Sequence, residues 1–267
     1  IPGNMSSQFI SALMITAPKL EDGLIIDING KVVSKPYIDA TITTMKKFGV
    51  DVEIKVPYKK YIIPEQNYKS TTLTIPSDFS SLALLLAAAV LLGEDLTIKA
   101  STGSMPQADE AIIDILETMG VVITLNKNII KIKSPKKLDG GKFDLSDSPD
   151  LVPAVAILAL KSSNPIEIFN VEHVRYKETD RISIITRELS KLGIKVEEKK
   201  DGLILNNSDN LNSAELNSEN DHRLFMAFSI AGMYVGDCTI SDPESVEVSY
   251  PNFISEMKRL GCKIFLD

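Results

Sequence analysis

The chain has 267 residues, 44% of them apolar and 24% charged, with 36 acidic against 29 Lys+Arg side chains and a net charge of −7. That size buries a substantial core and suits one large or two medium domains. The acidic balance argues against general attraction to nucleic acid or anionic lipid, so any anion site must be local. The longest strongly apolar stretch, over 82–92, is too short to cross a bilayer.

In chain order, Ser6-Ser7-Gln8 opens an apolar run over 9–17. A β-rich segment over 24–28 follows, then an amphipathic helix closing on Met45-Lys46-Lys47-Phe48-Gly49-Val50 and a strand over 52–56. The order recurs as Asp78-Phe79-Ser80-Ser81, an apolar run over 82–92, a strand over 96–99, a helix closing on Leu116-Glu117-Thr118-Met119-Gly120-Val121, and a strand over 122–125. A third copy runs from Asp147-Ser148-Pro149-Asp150 through apolar 151–160 and a strand over 166–169. It continues with a helix closing on Leu189-Ser190-Lys191-Leu192-Gly193-Ile194 and a strand over 195–197. The fourth starts at Asn220-Asp221-His222-Arg223, with apolar 224–235 and a strand over 238–240. Its helix closes on Met257-Lys258-Arg259-Leu260-Gly261-Cys262, before a strand over 263–266.

The four glycines stand roughly 70 residues apart, and apolar residues one and four positions before each share a helix face. Glycine accepts the left-handed conformation that closes a helix. Helices apolar all round belong inside and amphipathic ones outside. With Asn126-Lys127-Asn128 and Asp201-Gly202 as hairpin turns, each unit reads helix, strand, helix, strand, strand. The pattern predicts an α/β fold in which sheets surround a central group of buried helices, and the strand–helix–strand crossovers predict parallel pairing with right-handed connections. A break over 70–77 separates 1–75, one isolated unit, from 76–267, three units able to close together. Cys238 and Cys262 lack metal-ligand spacing and read as reduced core thiols. Ile1-Pro2-Gly3 leads into helix-like sequence without a basic leader, so cytoplasmic residence is expected.

The polar starts of the buried helices are the natural anion sites, because a helix N-terminus offers unpaired N–H groups and partial positive charge. Ser6, Asp78 and Asp147 each suit plain N-capping, but four such starts in register favour a shared surface. The densest charged run is His173-Val174-Arg175-Tyr176-Lys177-Glu178-Thr179-Asp180-Arg181. Lys177 and Arg181, four apart near the start of an amphipathic helix, oppose its macrodipole, which an anionic ligand explains better than a solvated face. Glu178 and Asp180 are open to roles as counter-ions or caps, and a cap is preferred for Asp180. Arg223, at the start of the fourth buried helix, either grips a phosphate or carboxylate or is tied to Asp221 or Asp150. Asp150 suits capping or a general base. His173 and His222 are too isolated to suggest a metal site.

At these residues the chain resembles the 5-enolpyruvylshikimate-3-phosphate synthase (EPSP synthase) family. The match runs through Ser6-Ser7-Gln8-Phe9, Ser34-Lys35-Pro36-Tyr37-Ile38-Asp39, Asp78-Phe79-Ser80-Ser81, Pro149-Asp150, Arg175 to Arg181, Asp221-His222-Arg223 and Ser249-Tyr250-Pro251. The Lys-Glu-Thr-Asp-Arg run with the later Asp-His-Arg is its most specific part. The resemblance implies an inside-out α/β barrel of βαβαββ-type units and transfer of enolpyruvyl from phosphoenolpyruvate to the 5-hydroxyl of shikimate 3-phosphate, with no metal or organic cofactor. It implies that Ser6, Ser7, Gln8, Ser34 and Tyr37 hold shikimate 3-phosphate and that His173 and Lys177 line the shared pocket. Arg181 and Arg223 would bind phosphoenolpyruvate, and Asp150 and Glu178 would form the proton-transfer pair. Domain closure over a site divided between 1–75 and 76–267 would expel water.

Two positions depart from the family pattern: Val248 stands where many relatives have a phosphoenolpyruvate-contacting lysine, and His173 where some have asparagine. The family's full chain has six units. The four here are expected to be the last unit of one domain and a three-unit domain lacking its N-terminal strand, with the N-terminal segment of the same enzyme as a further partner. Little or no transferase activity is therefore expected of this chain alone, which family-like turnover in a phosphate-release assay would contradict. Two other readings stay open: a catalytically silent anion-binding module, and the sister transferase acting on UDP-N-acetylglucosamine, which lacks the 177–181 type of run.

Overall fold

The computed structural model describes residues 1–93, 95–101, 105–206 and 210–266. They form two compact units: Ile1–Ser77 with Ser101–Ala108 and Ser146–Ser148, and Asp78–Ala100 with Asp109–Leu145 and Pro149–Asp267.

The first unit contains α1 (Ser7–Thr16), β1 (Leu24–Asp27), α2 (Lys35–Lys47), β2 (Glu53–Val56) and β3 (Lys60–Ile63). Its core joins Ile10 and Met14 of α1 and Ile38 and Met45 of α2 to Tyr61 and Ile63 of β3. The run over 9–17 reads as a fully buried helix, yet Phe9 is 57% exposed and Leu13 and Ile15 also face outward. Here a single helix pair backs a single sheet, so one side of α1 has no helix against it within the unit.

The second unit contains α3 (Phe79–Leu92), β4 (Asp95–Lys99), α4 (Ile112–Thr118), β5 (Val122–Asn126), β6 (Ile129–Lys133) and β7 (Gly141–Asp144). It continues through α5 (Val152–Ile157), β8 (Ile166–Phe169), α6 (Arg181–Lys191), β9 (Lys195–Lys199) and β10 (Gly202–Asn206). Last come β11 (Glu215–Leu216), α7 (His222–Val235), β12 (Thr239–Ile240) and α8 (Phe253–Arg259). The three apolar helices α3, α5 and α7 pack on one another and form the buried centre. Sheets lie outside them with one face to solvent, as the alternating burial along β6 shows, and the amphipathic α6 packs on α5 as well as on β9 and β10 rather than outside the sheets, an inside-out α/β arrangement.

Strand pairing differs from the expected parallel crossovers. The sheets run β1-β3-β2, β4-β6-β5 and β7-β8-β10-β9, and the third strand of each unit pairs antiparallel with both the first and the second. The reason is the hairpin: its short turn forces the returning strand beside its predecessor, and the first strand takes the free edge. The strands joined by the crossover helix keep a common direction but are one strand apart. Parallel neighbours occur in β7–β8 and β11–β12. The expected strand over 263–266 is also absent; Phe265 is 85% exposed and those residues carry no ladder.

All four repeat glycines close their helices left-handed, at φ +78 for Gly49, +87 for Gly120, +96 for Gly193 and +97 for Gly261. Gly202 has a different duty, since a Cβ there would lie 2.0 Å from the carbonyl oxygen of Ile168 on β8. Gly202→Ala is expected to push β8 and β10 apart at the cost of at least about 2 kcal/mol, read as a lower denaturant midpoint.

Candidate active site

In the first unit, Ser6 caps α1, its hydroxyl accepting from the Gln8 amide at 3.2 Å. Ser7, Gln8 and Tyr37 line a groove of about 660 Å³ between α1 and α2, together with Ser11 and Thr41, whose hydroxyls are 2.7 Å apart. Ser34 precedes α2 in the left-handed region at φ 55 and is buried, and its hydroxyl makes no cap bond. The start of α2 is instead fastened by the short bend that precedes Pro149: the Ser34 amide donates to the Ser146 carbonyl at 3.0 Å and the Lys35 amide to Asp147 Oδ1 at 3.1 Å. Asp147 therefore caps α2 rather than the third buried helix, which begins only after a 3₁₀ turn at Pro149–Leu151. Nearby, the Tyr58 hydroxyl donates to Asp39 at 2.8 Å, and that bond, with burial, pushes the phenol up to about 12.

In the second unit the charged residues converge. Arg181 is the first residue of α6 and is fully buried. Its Nε and Nη2 donate to Asp221 at 2.8 and 3.2 Å, its Nη1 to Asp150 Oδ1 at 3.0 Å, and its Nη2 also to Glu178 at 2.7 Å. Asp221 N-caps α7, accepting from the amides of Arg223 and Leu224, and takes a further bond from the Thr179 hydroxyl. Arg223 reaches Asp150 Oδ2 through Nη2 at 3.3 Å, and Lys177 Nζ lies 3.8 Å from Asp150 Oδ1. Asp150, Lys177, Glu178, Arg181 and Arg223 thus form one cluster of three cations and, with Asp221, three carboxylates.

Lys177 does not ride on the helix with Arg181, as its spacing suggests. It sits in the loop between the 3₁₀ turn Glu172–Tyr176 and α6, whose cap is Asp180, accepting from the Ser183 amide. Arg175 serves structure, clasping Asp180 and Glu198 and the carbonyls of Lys199 and Lys200. His173 is buried on that same 3₁₀ turn. Val248 ends another 3₁₀ turn, Pro243–Val248, and is 73% exposed.

Burial pushes the Asp150 carboxyl up, but Arg223 first, then Arg181 and Lys177, outweigh it and hold the group down at about 2. Burial likewise opposes the charged form of Asp221, and Arg181 with the two helix amides brings it below its ordinary value. Arg181 has carboxylates on all three nitrogens. Arg223 differs: its Nη1 is buried and has no hydrogen-bond partner among the described residues. The Glu178 side chain is 47% exposed, so one carboxylate of the cluster is open to incoming solutes. Asp221 as the clamp of Arg181, rather than of Arg223, escapes sequence reading, although its Asp-x-Arg capping pattern marks the helix start.

The second unit thus brings three cations and three carboxylates together at the starts of α6 and α7 and beside α5. The family model for EPSP synthase (3-phosphoshikimate 1-carboxyvinyltransferase) matches residues 1–257, and the chain belongs to that family. A 3-phosphoshikimate 1-carboxyvinyltransferase of Nitrosopumilus maritimus is 63% identical over 99% of this chain and 63% of its own length. One of Methanococcus maripaludis is 43% identical over 99% of this chain and 62% of its own length. The chain thus spans a little under two thirds of these relatives. Among solved structures, EPSP synthase from Acinetobacter baumannii superimposes with a TM-score of 0.77 at 24% identity, covering 97% of this chain and 61% of that one. The enolpyruvyl transferase NikO from Streptomyces tendae gives 0.70 at 18%, covering 90% and 56%. At those identities the superpositions speak for the fold.

Proposed function

We propose that this chain takes part in the reaction of a 3-phosphoshikimate 1-carboxyvinyltransferase, moving the enolpyruvyl group of phosphoenolpyruvate to the 5-hydroxyl of shikimate 3-phosphate with release of phosphate. On this reading residues 1–75 are one repeat unit of a first domain, 76–267 the three-unit domain, and the protein is cytoplasmic. No described helix is long and apolar enough to cross a membrane. The observation that carries the reading is the unfilled donor of Arg223 beside the Asp150 carboxylate. A buried guanidinium N–H without an acceptor is costly, and an anionic ligand would satisfy it.

Arg223 and Lys177 are the cations such a ligand would meet, with Arg181 holding the carboxylates around them. Ser7, Gln8 and Tyr37, with Ser6 and Ser34 at the adjoining helix starts, would take shikimate 3-phosphate. A base at about 2 is poorly matched to neutral pH. As phosphoenolpyruvate's negative groups draw Arg223 and Lys177 away, Asp150 becomes basic enough to take the hydroxyl proton. The substrate oxygen then bonds to C2 while C3 is protonated, with Glu178 as the donor. The Glu178 carboxylate takes a C3 proton back as the C2–O bond to phosphate breaks and the double bond re-forms, and phosphate leaves with the proton that Asp150 took, its charge stabilised by the fixed cations.

Parallel titrations with phosphoenolpyruvate, shikimate 3-phosphate and UDP-N-acetylglucosamine test this. Binding of the first two and not the third is expected; preference for the UDP-sugar, or no response to phosphoenolpyruvate, would overturn it.

A further inference from the structure

We propose that Asp242 is a positioning residue for the cation cluster, holding the strained loop before α7 so that Asp221 can clamp Arg181 and Arg223 can reach Asp150. Its bearing on phosphoenolpyruvate rests on the anion-site reading above. Strands β11 and β12 are parallel neighbours, with Leu216 paired to Ile240, so the residues leaving their ends, 217–221 and 241–242, lie side by side. In the first of these stretches Glu219 at φ 51 and Asn220 at φ 59 are consecutive and left-handed, and neither is glycine. Such a pair persists only where its surroundings enforce it.

Asp242 is the enforcement. Its Oδ2 accepts from the Asn220 amide at 3.1 Å, the Ser218 hydroxyl at 3.0 Å and the Ser241 hydroxyl at 2.8 Å. Asp242 is itself left-handed, at φ 62. The Glu219 amide is met by Asn217 Oδ1 at 2.8 Å, and the far side of the loop is pinned to α6, where Glu188 accepts from the Asn217 amide and Arg187 donates to Glu219. The loop then delivers Asp221, whose amide donates to the Ser218 carbonyl at 3.0 Å. Burial disfavours the charged Asp242, yet the Asn220 amide and the two serine hydroxyls bring its carboxyl below the ordinary value, as donors that stabilise the carboxylate do.

The test uses Asp242→Ala, Asp242→Asn and Asp242→Ala combined with Asn220→Gly. The readouts are hydrogen exchange of the Arg181 Nε–H by ¹⁵N NMR and separate titrations with phosphoenolpyruvate and shikimate 3-phosphate. Asp242→Ala is expected to accelerate Arg181 Nε–H exchange and to weaken phosphoenolpyruvate binding about tenfold, leaving shikimate 3-phosphate binding unchanged. Glycine enters the left-handed region without steric penalty, so Asn220→Gly should recover most of both losses, and Asp242→Asn should fall between. Unchanged exchange or unchanged phosphoenolpyruvate affinity in folded Asp242→Ala, or no recovery with Asn220→Gly, overturns the proposal. If Asp242→Ala does not fold, Asp242→Asn is judged by the same two readouts. If the unsubstituted protein ignores phosphoenolpyruvate while Asp242→Ala still loosens Arg181, the anion-site reading falls and the hold of Asp242 on the cluster stands.

Discussion

Replacing Asp221 with alanine is expected to lower the unfolding free energy by about 3–5 kcal/mol, the range seen when one partner of a buried ion pair is removed. Asp221 is fully buried, as is the guanidinium it pairs with through two bonds. The substitution leaves Arg181 with Asp150 and the half-exposed Glu178, takes the cap from α7, and orphans the Thr179 hydroxyl. For a chain of this size each kcal/mol moves the melting temperature by about 2–4 °C, so a fall of about 10 °C should appear by calorimetry. Asp221→Asn keeps a capping oxygen and should lose roughly half as much; a shift under about 2 °C for the alanine variant would contradict the clamp. Acid should act on the same network. The Asp150 and Asp221 carboxyls titrate lower in the folded protein than in the unfolded chain, so as pH falls the unfolded chain binds protons first. The Asp150 contribution is present above about pH 4 and lost as pH falls towards about 2, and that of Asp221 is lost in the same direction.

Features decided by a few neighbouring residues were legible in the sequence. A glycine after an amphipathic run closes a helix through its own φ, and all four did so. Capping of α3 by Asp78 and of α6 by Asp180 is equally local. Composition also marked α3, α5 and α7 as the buried centre, because helices apolar all round have no polar face to offer water. Strand order was misread because a crossover fixes direction but not adjacency, and a hairpin partner wins the neighbouring edge.

The site was legible as a set of residues and less so as a geometry. Lys177 and Arg181 do converge on Asp150, but through a loop rather than a shared helix face. The number of carboxylates gathered on Arg181 depends on Asp150 and Asp221, which lie 31 and 40 residues away in sequence. Asp147 looked like a cap for the helix beside it and caps α2 instead, 112 residues earlier. Asp242 gave no signal at all, because its importance comes from the backbone of a loop that only strand pairing brings near.

Asp150→Asn and Arg223→Gln should change anion affinity in opposite directions. The cluster balances Lys177, Arg181 and Arg223 against Asp150, Glu178 and Asp221, so an incoming phosphate must compete with Asp150 for Arg223 and Lys177. Two unit charges about 4 Å apart interact by about 4 kcal/mol at an effective dielectric of about 20. Relaxation and solvent screening reduce that, and removing the Asp150 charge is expected to tighten inorganic phosphate binding by about tenfold, or about 1.4 kcal/mol. Arg223→Gln removes the cation whose Nη1 has no acceptor among the described residues and should weaken phosphate and phosphoenolpyruvate binding by about 10- to 100-fold, the worth of a charge-assisted hydrogen bond. Calorimetric titration of both variants with inorganic phosphate, below their melting temperatures, decides the matter. Weaker binding in both would mean that Asp150 helps to build the anion pocket rather than competing for it, and that its low carboxyl value reflects structure instead of a base held in reserve.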